Sequence, residues 1–239
     1  MPKRALIIQG GTMRGAYFVG VLKVFERELG KEYFDTIFST SVGIFEQVPF
    51  VTNQMEELEE VWVEYSSGRK LINFLNPLRK KPILDLDYLI NILKTRLNIR
   101  AMENSKANLY TFITDWETKE PILMDLKQNN IFDLMRAACA LPLLYPKKVF
   151  IGGRRYVDGR MTPVRKFRNI LQEELKAYDE VIGVISNKYF NQIYGLREIL
   201  EPSRMPLLNS LDTNKERIKK TIKQGEIDAE NFLEKRAII

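Results

Sequence analysis

The chain has 239 residues, and not one of them is a histidine. This absence excludes a Ser-His-Asp triad, a Cys-His pair and every metal site that depends on imidazole ligands. Any hydrolytic chemistry must therefore use a different base. There is also only one cysteine, Cys139, so the chain cannot form an internal disulfide, which fits a reducing compartment.

Long apolar runs are missing as well. No run approaches the roughly 20 residues that a membrane-spanning helix needs. Residues 1–4 are basic and precede an apolar stretch, as in a signal peptide, but residues 5–8 are too few for a signal-peptide core and glycines follow at once. The sequence predicts a soluble, cytoplasmic protein that is at most peripheral to a membrane.

The charge balance is modestly basic, with a formal net charge of +6. Such a surface suits an anionic partner, either nucleic acid or an anionic membrane, or it has no partner at all. No helix-turn-helix, zinc or RNP-type signal is present, so we do not expect a nucleic-acid binder. Contact with an anionic membrane stays open. The sequence does not indicate the oligomeric state.

Short apolar runs alternate with helical patterns in the first fifty residues. Residues 4–9 and 34–39 are predicted strands. Between them, residues 15–29 have helical apolar spacing, and Gly30 is a plausible stop. A helical pattern resumes after Ser41. This order predicts an α/β fold with a mainly parallel sheet.

The rest of the chain is predicted to complete one domain over residues 1–239, with its core at about 4–186. Paired strands are predicted at residues 109–115 and 121–125, followed by a helix rich in small residues at 131–140. A hairpin is predicted at 149–157, a buried strand at 179–186 and a charged helix at 214–236. A C-terminal helical segment is predicted at about 190–239.

Residues 54–100 are predicted to form a helical, irregular insertion. From residue 69 onward apolar and basic side chains are mixed, and Pro77 and Pro82 interrupt the pattern. Two interpretations stay open. The segment is either a lid or membrane-facing flap, or a packed helical insertion with a basic outer face.

A glycine-rich loop follows the first predicted strand and consists of Gly10, Gly11, Thr12, Met13, Arg14 and Gly15. Its amides and the positive end of the next helix suit a phosphate or a developing oxyanion. A nucleotide P-loop needs Lys and Ser or Thr after the last glycine, where this chain has Ala16 and Tyr17. Thr12 also breaks the dinucleotide pattern. Two interpretations of the loop remain open, namely an oxyanion loop and a simple tight turn.

The second predicted strand ends in Ser39-Thr-Ser-Val-Gly43, which nearly matches the nucleophile elbow G-x-S-x-G. In such an elbow a sharp turn exposes the central serine, here Ser41. Crowding favours small residues two positions before and after it, which Ser39 and Gly43 satisfy. The same string also occurs in ordinary strand-to-helix turns, so it does not identify a nucleophile by itself.

Asp158 and Gly159 follow the predicted hairpin. An Asp-Gly pair is often only a turn. Because histidine is absent, however, a carboxylate would have to take the proton of Ser41 directly. A carboxylate is a weak base, so such a site should be partly dry, which raises the pKa of the acid. Preorganised amides would hold the oxyanion that forms.

In order and spacing, these three motifs resemble those of the patatin-like phospholipase family: G-G-G-x-R-G, then G-x-S-x-G, then D-G-G or D-G-A. Residues 135–146 resemble the small-residue helix of that family and the turn after it, and residues 151–159 resemble its approach to the aspartate. The stretch at 115–121 is similar to that of bacterial members. The resemblance covers about residues 4–186.

The resemblance implies a three-layer α/β/α sandwich and a lipid acyl hydrolase that needs no metal or other cofactor. Ser41 would attack a fatty acyl ester and Asp158 would be its base. Amides around Gly11, Thr12 and Met13 would stabilise the oxyanion, and water would release the acyl group. Arg14 would brace the loop or meet an anionic head group. The implied partner is a lipid or small ester substrate.

Three positions depart from the family pattern, because Thr12, Ser39 and Arg160 replace glycines. A β-branched Thr12 would strain a loop that needs a positive φ there. Ser39 adds bulk beneath the elbow. Arg160 places a cation near Asp158, which would lower the pKa of that acid. The alternative function is therefore a catalytically impaired relative that binds lipid or membrane.

Overall fold

The computed structural model describes residues 2–187, 196 and 198–236. These residues form one mixed sheet. Its strands are β1 Arg4–Ile8, β2 Thr36–Thr40, β3 Asn108–Asp115, β4 Pro121–Asp125, β5 Val149–Ile151, β6 Arg154–Asp158, β7 Glu180–Val184 and β8 Glu198–Leu200. The order is β5-β6-β3-β2-β1-β7-β8, and β4 pairs with β3. Strands β2, β1, β7 and β8 run parallel to one another and to β3, as predicted from the strand–helix rhythm.

Helices cover both faces of this sheet. The α-helices of the described residues are α1 Gly15–Glu28, α2 Ile44–Thr52, α3 Met55–Glu60, α4 Leu86–Arg96, α5 Ile99–Glu103, α6 Ile131–Ala138, α7 Val164–Leu175 and α8 Lys215–Lys235. Because side chains alternate along a strand, β1 sends Ala5 and Ile7 towards α7, while Leu6 and Ile8 face the larger core with α1. The predicted three-layer α/β/α sandwich is confirmed. None of the described helices is both long and apolar enough to cross a bilayer.

The edge of β3 explains how distant parts of the chain meet. Strand β2 pairs with β3 as far as Thr40 opposite Phe112. Strand β6 then takes over, with Asp158 opposite Ile113, while β4 occupies the other edge. Since β2 is parallel to β3 and β6 is antiparallel, the two strands meet end to end. Their last residues therefore lie side by side.

Residues 54–100 are only partly the helical insertion that was predicted. Helix α3 continues into a π-helical turn at Val61–Tyr65, and α4 follows later. Between them the chain forms a hairpin, because Ile72 and Leu84 form an antiparallel bridge. Pro77 lies in a 3₁₀ turn at the tip of this hairpin. Pro77 thus belongs to a turn, and Pro82 lies on the returning arm of the hairpin.

The C-terminal part of the chain contributes more than the predicted helix. Strand β8 adds to the sheet beside β7, which the sequence analysis did not predict. Helix α8 packs closely on α1, since a Cβ atom on Gly225 would lie 2.3 Å from the Tyr17 carbonyl oxygen. Of the predicted segment at 190–239, residues 190–195, 197 and 237–239 lie outside the described residues.

Candidate active site

Three connections meet at the carboxyl ends of the central strands. The glycine-rich loop leaves β1, Ser41 follows β2, and Asp158 ends β6. Ligands of open α/β sheets commonly bind at this edge. The structure therefore brings all three predicted motifs together, although the last of them is more than a hundred residues from the first.

Ser41 has the backbone geometry of a nucleophile elbow. Its φ is +52°, which is uncommon for a residue with a side chain, and it opens the turn into α2. The turn is so tight that a Cβ atom on Gly43 would lie 2.6 Å from the Ile8 carbonyl oxygen. Such a conformation costs about 1–3 kcal/mol, and the surrounding core must hold it in place.

Ser41 and Asp158 are in direct contact. The hydroxyl of Ser41 donates a hydrogen bond of 2.6 Å to Oδ2 of Asp158. The other oxygen of this carboxylate accepts from the backbone amide of Arg160 at 2.8 Å. The carbonyl of Asp158 accepts from Thr114 at 2.9 Å, so both ends of the residue are fixed. The carboxylate is thus aimed at the serine hydroxyl.

The environment of this pair is dry. Asp158 has no exposed surface, and Ser41 is 4% exposed. Burial raises the pKa of Asp158 to about 6, although hydrogen bonds from Ser41 and from the Arg160 amide oppose the shift. The charge of Arg160 lowers this pKa, as expected from the sequence, but it is the smallest of these effects. The pKa of Asp158 is therefore raised overall, whereas the charge of Arg160 alone predicted that it would be lowered.

The glycine-rich loop lies directly over the serine. The amide of Gly10 donates to the Thr40 hydroxyl at 3.0 Å, which ties the loop to the elbow. A Cβ atom on Gly10 would lie 2.5 Å from the Cβ of Ser41, so only glycine fits there. Thr12 has a φ of +50°, the strained conformation anticipated for this position. The threonine is accommodated, at a cost in backbone strain.

One of the predicted oxyanion donors is already engaged. The amide of Met13 donates to the carbonyl oxygen of Ser210 at 3.0 Å. A C-terminal segment thus packs on the loop and engages this amide, and a role of Met13 in holding an oxyanion stays a prediction. The amides of Gly11 and Thr12 donate to no other described residue. These two groups remain available for an anion.

The other end of the loop leads into α1. The backbone amide of Arg14 donates to the Gly11 carbonyl at 3.1 Å and closes the turn, while bracing by the Arg14 side chain stays a prediction. Gly15 lies against Trp62 and Glu46, where a Cβ atom would come within 2.6 Å of the indole ring. Contact of Arg14 with a head group stays a prediction.

Ser39, which replaces a glycine of the family pattern, is accommodated by hydrogen bonds. Its hydroxyl donates to Thr111 at 3.1 Å and accepts from the side-chain amide of Gln47 at 2.5 Å. Gln47 also donates to the Tyr110 carbonyl at 2.8 Å. The Ser39 side chain, which was expected to add bulk beneath the elbow, is therefore part of a small polar network that links β2, β3 and α2.

A narrow apolar slot of about 30 Å³ opens beside the serine. Its walls come from the loop, the elbow, the hairpin of the insertion, α4 and the end of α6. The lining residues are Thr12, Met13, Ser41, Val42, Phe45, Trp62, Leu71, Leu84, Leu86, Leu89, Cys139 and Leu141. Apart from Ser41 and Thr12 the walls carry almost no polar groups, so the slot suits an alkyl chain.

Two residues near the site were missed by the sequence analysis. Cys139 lines the slot, and burial raises the pKa of its thiol well above the usual range, so it is not a competing thiolate. Glu46 is fully buried in α2, and burial likewise raises its pKa well above the usual range. The sequence could have indicated a buried acid here, because Glu46 is the only charged residue in the otherwise mostly apolar run 42–51.

The comparison with protein families settles the relationship of the chain. The model of the patatin-like phospholipases matches residues 6–168, which is more than half of the chain and includes the loop, the elbow and Asp158. The chain belongs to the patatin-like phospholipase family.

Individual relatives are distant. A protein of Escherichia coli K12, the uncharacterized protein YjjU, is 24% identical over 213 residues, covering 86% of this chain and 59% of YjjU. The structure of VipD from Legionella pneumophila has a TM-score of 0.60 at 10% identity, covering 98% of this chain and 67% of VipD. A chain of the ExoU–SpcU complex from Pseudomonas aeruginosa has a TM-score of 0.51 at 12% identity, covering 98% and 53%. At such identities the structures share the fold, and the chain spans about three fifths of YjjU.

Proposed function

We propose that the chain is a lipid acyl hydrolase that cleaves carboxylic esters, with Ser41 as nucleophile and Asp158 as its base. The observation that carries this proposal is the 2.6 Å hydrogen bond between these side chains in a dry site beside an apolar slot. With histidine absent from the chain, Asp158 is the group placed to receive the serine proton. The proposal includes a cytoplasmic location with peripheral membrane contact, which cell fractionation tests.

The first half of the reaction forms an acyl-enzyme. The Ser41 oxygen attacks the ester carbonyl while its proton moves to Oδ2 of Asp158, and the carbonyl oxygen becomes an oxyanion. Amides of Gly11 and Thr12 stabilise that oxyanion. The intermediate collapses when the bond to the leaving alcohol breaks and Asp158 returns the proton to the departing oxygen.

The second half repeats these steps with water. Asp158 takes a proton from the water as its oxygen attacks the acyl carbonyl, and the same amides hold the new oxyanion. The bond to Ser41 then breaks, the serine recovers its proton, and the fatty acid leaves. A pKa of about 6 suits both directions, because Asp158 must accept and return a proton near neutral pH.

A fluorophosphonate probe tests this assignment directly. We expect covalent labelling of the wild-type chain, mapped to Ser41 by mass spectrometry, together with hydrolysis of short p-nitrophenyl esters. The alternative is a lipid-binding relative without activity, which the strained Thr12 favours. That alternative predicts no labelling and no turnover, combined with retained binding of fatty acids. Labelling at another residue would reject the proposed nucleophile.

The slot predicts a chain-length preference that can be shifted. Leu89 lines the slot from α4 and is buried. Phe fills about one methylene more of the slot than Leu, and each buried methylene contributes about 0.8 kcal/mol. We therefore expect Leu89→Phe to lower kcat/KM for long acyl esters roughly 4-fold. Acetyl esters should be hydrolysed within about twofold of the wild-type rate.

The matched control is Leu93→Phe, one turn further along α4. Leu93 is also buried but does not line the slot. We expect it to affect all acyl lengths to the same extent, through stability alone. Measurement of kcat/KM over a series of p-nitrophenyl esters separates the two variants. A parallel loss in both would mean that acyl chains bind elsewhere.

A further inference from the structure

The hairpin of the insertion links the slot to the outer surface. At its base Leu71 and Leu84 line the slot beside Ser41. The base is held by the amide of Asp85, which donates to the Leu71 carbonyl at 2.8 Å, and by the amide of Asn73, which donates to the Ile83 carbonyl at 2.8 Å. Residues 74–81 form the tip. One short element thus has its base at the slot and its tip in solvent.

The tip exposes large apolar side chains. Phe74 is 62% exposed, Leu75 is 48% exposed and Leu78 is 85% exposed. The hairpin is nevertheless well anchored, because the side-chain amide of Asn76 donates to the Pro82 carbonyl at 3.0 Å. Exposed apolar groups on an anchored turn are unfavourable in water unless another surface covers them.

Two neighbouring segments extend this apolar surface. Leu143 is 91% exposed and precedes Leu144, whose carbonyl accepts from the amide of Leu84 at 2.9 Å. Leu208 is 76% exposed and belongs to the segment whose Leu211 shares a cleft with Phe74. Apolar groups from three parts of the chain therefore surround the base and the tip of the hairpin.

The charge around the tip has a single sign. Residues 65–84 contain five basic residues and no acidic residue. Three of the basic residues are consecutive at the tip, namely Arg79, Lys80 and Lys81, and all are exposed. Among the described residues none of these three forms an ion pair. Their charges are therefore available to an anionic partner.

We propose that the tip, residues 74–81, docks the chain on an anionic lipid surface. Apolar side chains flanked by lysine and arginine are the chemistry of interfacial anchors, in which the apolar groups enter the lipid and the cations bind the head groups. An acidic protein partner would pair with the cations but would not cover the exposed side chains of Phe74 and Leu78 as a lipid layer does. Docking by the tip presents the slot to the layer that holds acyl chains.

The surface is independent of catalysis, and only its use rests on the proposed function. Binding is therefore measured with the inactive Ser41→Ala chain, by flotation with vesicles of phosphatidylcholine alone or mixed with phosphatidylglycerol. We expect binding to the mixed vesicles that weakens in high salt. Phe74→Ser combined with Leu78→Ser should lower the partition coefficient at least about 10-fold, since each residue loses its apolar contact with the lipid.

Reversal of the tip charges gives the second arm. Arg79→Glu with Lys80→Glu and Lys81→Glu should abolish the preference for the anionic vesicles.

Two control variants change other parts of the surface. Ile227→Ser on α8 is the control for the apolar changes. The triple change Lys31→Glu, Lys106→Glu, Lys176→Glu, at the amino ends of the strands and opposite Ser41, is the control for the charge reversal. Both controls should bind like the parent chain. Equal losses in the control and tip variants, or a tip that governs self-association instead, overturn the proposal.

Hydrolysis separates this inference from the proposed function. With the active chain, the tip variants should lose activity on vesicle phospholipid but keep wild-type rates on soluble acetyl esters. If the chain hydrolyses no ester and still floats with anionic vesicles through the tip, the proposed function fails and the docking surface stands. If esters are hydrolysed and the tip variants float as the parent does, only the docking surface fails.

Discussion

Replacing Ser41 with alanine is expected to lower kcat for a p-nitrophenyl ester by at least about 1000-fold, because the acyl-enzyme can no longer form. The side chain removed is small and 4% exposed, and its hydroxyl bonds to Asp158. The fold should be retained, as circular dichroism and the melting temperature would show. Steady-state kinetics and loss of fluorophosphonate labelling measure the effect.

Ser39→Ala is the control for this variant. It removes a hydroxyl two residues away that is also buried and hydrogen-bonded, to Thr111 and Gln47. Its loss should reduce stability by about 1 kcal/mol and leave kcat within a few-fold of the wild type. If Ser41→Ala hydrolysed esters as fast as Ser39→Ala does, the nucleophile would have to be another residue.

Asp158→Asn should be nearly as damaging as the loss of the serine. Asparagine keeps the shape of the side chain but cannot accept the serine proton, so we expect kcat to fall at least about 1000-fold. In the wild-type chain, kcat/KM should rise with pH and be half-maximal near pH 6, where Asp158 loses its proton. A pH–rate profile measured on a soluble ester tests this. A rate that is flat between pH 5 and 8 contradicts the assignment.

The same carboxyl predicts how stability depends on pH. Its pKa rises from an ordinary value of 3.8 to about 6 on folding, so between these values the folded state binds more protons than the unfolded one. Stability contributed by this group should fall as the pH rises from 4 to 6, by roughly 2–3 kcal/mol, and stay constant above. Asp158→Asn should remove that fall in urea unfolding. Asp115→Asn, whose carboxyl has a lowered pKa, should not.

Much of this architecture could be predicted from local sequence. Short apolar runs predicted the strands around Ile7 and Phe38, because a parallel strand that is buried on both faces is apolar at nearly every position. The hairpin at Gly152 and Gly153 was readable because both glycines adopt the positive φ that such a turn needs. The candidate nucleophile and the candidate base could be proposed because their turns carry recognisable residues and because the missing histidine excludes a histidine base.

The remaining features depend on contacts that no local pattern records. The pKa of Asp158 follows from burial by many parts of the chain, whereas the sequence showed only its neighbour Arg160. The engagement of Met13 follows from a segment almost two hundred residues away. The hairpin of the insertion was mistaken for interrupted helix, because Pro77 and Pro82 break helices and also begin turns, and only the pairing of Ile72 with Leu84 distinguishes these outcomes.

The end-to-end meeting of β2 and β6 on one edge of β3 also bears on folding kinetics. Ser41 and Asp158, the proposed dyad, are 117 residues apart in sequence, so their contact closes a long loop and is entropically costly to form early. The first half of the chain can place Ser41 on its strained turn before Asp158 arrives. Recovery of esterase activity during refolding would therefore report the docking of β6, and should lag behind the recovery of helical signal.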